Sequence, residues 1–140
     1  MDNQRGTSAV EFAIVLPLLV VFVFGIIEFG LVFYNKAMVT NASREAARTG
    51  IVYRDPPLTV AEIQSVVNDY CGDMLVTFGS SPGAVTTVPS GECANHGDEL
   101  VVNVAYQYEF LLIPDFMTAF FTGDMPGSIN VSAVTRMRCE

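Results

Sequence analysis

The sequence predicts an α+β protein in which one long N-terminal helix crosses a membrane and continues into a small globular domain, where a short helix covers an antiparallel sheet. Three observations predict it. An apolar run of about 22 residues extends from Phe12 to Phe33, long enough for a bilayer core. A capped amphipathic segment follows Pro56–Pro57, and two stretches of apolar–polar alternation occupy the last third of the 140 residues.

The totals set limits on function. The net charge of −8 argues against nucleic-acid binding, since no lysine or arginine lies between Arg54 and Arg136 to neutralise phosphates. A domain of roughly 90 residues buries a modest core and gains from a staple or a docking partner. Three cysteines, Cys71, Cys93 and Cys139, form no CxxC pair, which excludes zinc ribbons and thioredoxin-like motifs. Outside the cytoplasm one disulfide is expected, with one thiol left over. Cys71–Cys93 is the favoured pairing because it closes a moderate loop after a helix. Cys139 could instead take either partner or a second chain.

Along the first helix, "RGTSAVEFAIVLPLLVVFVFGIIEFG" from Arg5 to Gly30 carries two acids in an oily context. Its apolar run is longer than the core of a secretory signal peptide and lacks a small-x-small cleavage site after it. Tyr34 and Lys36 suit the far interface, the lysine by snorkelling. A charge count over Arg5, Lys36, Arg44 and Arg48 would by itself place the C-terminal part in the cytoplasm. Glu28 lies about 100° round the helix from Glu11, so the two do not form a catalytic or metal pair. Glu28 reads as a hydrated helix end, or as a pairing site for another subunit. Pro17 removes one helix hydrogen bond and predicts a kink or a loosened stretch.

The helical pattern continues to Thr49, with Gly50 as its C′ residue and Ala37, Met38, Asn41, Ala42 and Ala46 as the stripe facing the domain. Arg44 and Arg48, four apart, belong to a helix stem or contact an acidic partner. Thr59 and Glu62 make a capping box, Leu58 and Ile63 a hydrophobic staple, and Gly72 ends the second helix. Residues 74–78 predict a strand, and 79–98 a turn-rich loop. Leu100 to Phe110 alternate without a break, and Ile129, Val131, Ala133 and Met137 alternate with polar residues, placing Cys139 on the apolar face. Phe116, Met117, Phe120 and Phe121 share one face of a short helix on the crossover, either core or a surface for membrane or partner.

Gly6 ends a short polar leader, and Glu11 is the fifth residue after it at the edge of the apolar run. This is similar to a prepilin peptidase site. Together with "NASREAARTG" from Asn41 to Gly50 and a closing strand, it resembles the TadE-like family of pseudopilins, minor components of tight-adherence pilus systems. The resemblance implies a pilin-like fold and cleavage between Gly6 and Thr7. It implies a bacterial inner-membrane protein with a cytoplasmic N-terminus and an extracytoplasmic domain. The partners it implies are other pilin-like subunits, prepilin peptidase, the assembly platform in the inner membrane and the lipid bilayer. It further implies that Glu11 pairs with a neighbouring subunit's N-terminal amine and that loosening at Pro17 accompanies assembly; the plainer reading of Glu11 is a position in the headgroup layer. The implied division is a leader at 1–6, an assembly helix at 7–34, a stem at 35–50 and a domain at 51–140. An uncleaved single-pass protein binding a ligand or envelope partner is the alternative.

No enzyme or cofactor is expected. The single histidine, His96, lies near Cys93, Asp98 and Glu99 without a recognised metal-ligand spacing, and no phosphate loop or Ser/His/Asp context is present.

Overall fold

The computed structural model describes residues 3–72, 74–76, 85–90, 93, 95–110 and 127–140. Helix α1 runs unbroken from Asn3 to Gly50, and α2 spans Val60–Gly72. Strands β1 (Thr86–Ser90), β2 (Glu99–Glu109) and β3 (Ser128–Arg138) form an antiparallel sheet in the order β1-β2-β3. Both helices lie on one face of it. The fold is α+β, as the sequence predicts.

The alternation in β2 carries the core. Leu100, Val102, Val104, Tyr106 and Tyr108 are all buried, and β3 adds Val131 and Ala133 beside them. The two strands pair over their full length, from Glu99↔Arg138 to Glu109↔Ser128. Helix α1 supplies the opposite side of the core through Val39, Ala42, Ala46 and Ala47. Small residues there let the helix approach the sheet closely. The facing stripe is rotated from the one expected: Ala42 and Ala46 are buried, but Ala37 and Asn41 are exposed. Glu28, Asn35 and Ser43 occupy buried positions instead.

α1 and the sheet lie lengthwise in register. Glu28 meets Tyr108 at one end, Lys36 Nζ donates to the Ser132 carbonyl, and Ser43 Oγ lies 2.8 Å from Thr135 Oγ1. At the other end Gly50 abuts Leu100. Lys36 therefore reaches the backbone of β3.

Gly50 is the last residue of α1, and the only described glycine with positive φ is Gly97. Gly50 is therefore not a left-handed C′ residue. It serves close approach: a Cβ there would stand 2.5 Å from Leu100 Cδ2 and 3.3 Å from Ile63 Cδ1. The α2 cap forms as read. Glu62 accepts from the Thr59 amide and hydroxyl, each at 2.8 Å, which holds its carboxyl below the ordinary range. Leu58 and Ile63 pack on the core as the staple requires.

Two expectations about strands change. Met74–Val76, the described part of the 74–78 segment, is not a strand: the Met74 and Leu75 amides fold back onto the Cys71 carbonyl at 3.3 and 3.0 Å. β1 lies instead inside the span read as a loop, 79–98. Its Pro89 lacks an N–H and is tolerated because β1 is an edge strand.

The disulfide joins Cys93 to Cys139, with Cα atoms 5.4 Å apart. It replaces the favoured Cys71–Cys93 pairing. Cys71 faces inward from α2 and is a buried free thiol, whose burial raises its pKa. Cys139 falls on the apolar side of β3, as the alternation predicts.

Replacing Gly50 with Val should lower stability by about 1–3 kcal/mol, the usual cost of forcing extra volume into a packed contact. Denaturant unfolding of the full chain in detergent would measure it. The double change Cys93→Ser with Cys139→Ser should cost about 2–4 kcal/mol. Reducing agent should destabilise the wild type by a similar amount and leave the double variant unmoved.

Candidate functional site

Two features distinguish the surface: the free stretch of α1 and the junction where it meets the domain. Within α1 one segment is long and apolar enough to cross a membrane, and its most hydrophobic window has none of its residues buried by the rest of the chain. Leu18, Phe22, Ile26 and Phe33 are all more than half exposed. Shallow grooves along this helix, such as the one between Val21, Gly25, Phe29 and Phe33, offer almost purely apolar walls. They can contribute packing and little else, the surface expected of a helix in lipid or against other helices.

Gly6, Thr7 and Glu11 lie on the first turns of this free stretch, all exposed. Pro17 lies inside it, half-buried, and α1 continues across it although the bond to the Ala13 carbonyl cannot form.

Glu28 departs from both of its sequence readings. It is 3% exposed, and Tyr108 donates its phenolic O–H to Glu28 Oε1 at 2.9 Å. It is therefore neither a hydrated helix end nor a surface that another subunit can reach. The carboxylate is answered within the chain, by a residue 80 positions away. A single sequence carries no signal for so distant a partner. Burial, and then the hydrogen bond it donates to Glu28, raise the Tyr108 pKa strongly. Tyr108 also makes an edge contact with Phe110, centroids 5.6 Å apart.

Asn35 is the second polar residue on the buried face that sequence reading left unassigned. Its side chain closes a two-bond clamp on the backbone of Val76, donating at 2.8 Å and accepting at 3.1 Å. This ties the segment after α2 to the helix. Arg44 and Arg48 point outward, and Arg48 makes an exposed ion pair with Glu45 at 3.7 Å. Phe116 and Phe120 lie outside the described residues. Among the described residues no group of three histidine, cysteine or carboxylate side chains is placed to hold a metal ion.

A family model described as TadE-like protein matches residues 6–48, the free helix and most of the stem. No curated protein and no solved structure matches the chain. The TadE-like match implies involvement in tight-adherence pilus assembly, and among the described residues one helix, near the N-terminus, is long and apolar enough to cross a membrane.

Replacing Tyr108 with Phe should destabilise the protein by about 1–3 kcal/mol, because a hydrogen-bond donor to a buried carboxylate is lost. The folded phenol is raised while the unfolded one keeps its ordinary value. Stability is therefore full below that ordinary range and is lost as pH rises from there through the folded value. Tyr106 and Cys71, both raised by burial, add to the same alkaline loss. Unfolding midpoints from neutral to alkaline pH should decline less steeply for Tyr108→Phe than for the wild type.

Proposed function

We propose, taking the TadE-like match over residues 6–48 as the premise, that this chain is a minor pseudopilin: a membrane-held structural component for assembly of a tight-adherence type IV pilus or a related secretion filament. Residues 1–6 are the leader, 7–34 the membrane and assembly helix, 35–50 the stem, and 51–140 the extracytoplasmic domain. Prepilin peptidase cleaves between Gly6 and Thr7. The freed helix then packs against other pilin-like subunits at the assembly platform of the bacterial inner membrane.

The observation that carries this reading is the contrast between the two acids of α1. Glu28 is buried and bonded inside its own chain, whereas Glu11 stands exposed on the free helix. A carboxylate at a bilayer edge costs free energy unless it is hydrated or paired, so Glu11 is the acid left for a partner's amine. Pro17, six residues on, supplies the loosened backbone. Arg44 and Arg48 face outward and are available to an acidic neighbour.

The test is intact mass and N-terminal sequencing of the membrane-extracted protein, made with and without its prepilin peptidase. A chain starting at Thr7 only when the peptidase is present supports the reading. Glu11→Ala should then be processed but enter assemblies at least tenfold less, read by co-isolation with its partner pilins. A chain starting at Met1 in both cells refutes processing and favours the uncleaved single-pass protein, a reading to which the leader's Asp2 and single Arg5 already lend weight.

A further inference from the structure

The two faces of α1 disagree about where the membrane ends. On the domain side, contact with the sheet begins at Glu28, followed by Leu31, Val32 and Asn35. On the opposite side the apolar surface continues: Phe29 is 56% and Phe33 71% exposed. That side turns polar only above Phe33, through Asn41, Arg44 and Arg48.

Helix rise decides between them. From Glu11 to Glu28 is about 25 Å at 1.5 Å per residue, shorter than a hydrocarbon core of about 30 Å. From Glu11 to Tyr34 is about 34 Å, which fits a core crossed at a modest tilt. Tyr34 is an amphipathic ring and Lys36 a cation, the pair suited to the interface. With Glu11 at one edge and Tyr34 at the other, Glu28 falls about 8 Å inside the hydrocarbon boundary. An acid at that depth must find a partner, and the Tyr108 hydroxyl is one.

Whatever stands level with Tyr108 on the helix-facing side of the sheet is then at a similar depth. Ile129 pairs with Tyr108 in register and lies on the apolar face of β3, yet it is 43% exposed. Phe110 follows Tyr108 and is half-buried. The other face of the sheet at this height carries Gln107, Glu109 and Asn130, all exposed, so that face stays among the headgroups.

We propose that the base of the domain is sunk, helix side first, into the adjoining bilayer leaflet, through a lipid-contacting surface formed by Phe29, Phe33, Phe110 and Ile129. The Glu28–Tyr108 hydrogen bond lies below the bilayer–water boundary, shielded from lipid by the domain's own side chains. This rests on the membrane-spanning part of the reading above and not on cleavage or filament assembly.

The chain contains no tryptophan, so single replacements report one site each. The probes are Phe22→Trp, Phe33→Trp, Ile129→Trp and Val134→Trp. All four native side chains are exposed, and Val134 lies on the polar face of the sheet. The full chain is placed in phosphatidylcholine vesicles with and without bromine on the acyl chains, and each variant is checked for an intact Cys93–Cys139 bridge. In brominated vesicles the emission of Phe22→Trp, Phe33→Trp and Ile129→Trp should fall at least twofold, and that of Val134→Trp should stay unchanged. Quenching of Phe22→Trp without quenching of Phe33→Trp or Ile129→Trp overturns the proposal and leaves the spanning helix intact. An unquenched Phe22→Trp variant overturns the spanning helix as well.

Discussion

The architecture depends on one buried hydrogen bond, from the Tyr108 hydroxyl to the Glu28 carboxylate. An acid 3% exposed that lost this hydrogen bond would bear more of the cost of burial, and sliding the helix along the sheet would relieve it. With the phenol in place the carboxylate instead fixes the register. One helix turn in either direction would part the two groups. The contacts of Lys36, Ser43 and Gly50 follow in order along the same helix face, each meeting a sheet position farther from Tyr108. A purely apolar stripe would hold the helix with comparable strength but with less discrimination between neighbouring registers.

This division of labour splits the helix into two chemically different halves. From Phe12 to Ile27 the helix surface is apolar on all sides and, among the described residues, does not pack on the domain core. Above Glu28, one face is built from Val39, Ala42, Ala46 and Ala47 and is fully covered. The domain therefore places no described side chain of its core on the assembly half. The domain's packing can vary without altering the helix surface from Phe12 to Ile27.

What could be read from the sequence follows from how locally each element is determined. β2 was legible because its alternation is unbroken for eleven residues. α2 was legible because Thr59 and Glu62 satisfy each other's orphan groups within one turn. The same reasoning missed β1, whose Pro89 reads as a breaker until its edge position is known. It misassigned the stem's buried face because Glu28, Asn35 and Ser43 look like solvent residues. Their spacing, with Val32, Val39 and Ala46 between and beyond them, was the available signal, but their polarity hid it. Their partners, Tyr108, Val76 and Thr135, lie 41 or more residues away. The disulfide was misread for a related reason: loop length favours Cys71, while helix phase turns Cys71 into the core.

The lengthwise alignment of α1 with β2 and β3 also has a mechanical consequence. A force that draws an embedded helix out of a bilayer acts along the axis of that helix. That pull lies nearly along the strands, so the contacts from Glu28 to Gly50 are strained together in shear and do not peel apart one after another. The Cys93–Cys139 link then fastens the loop before β2 to the residue after β3, closing the far end of the sheet against splaying. Tension applied along α1 would therefore load the whole helix–sheet contact at once.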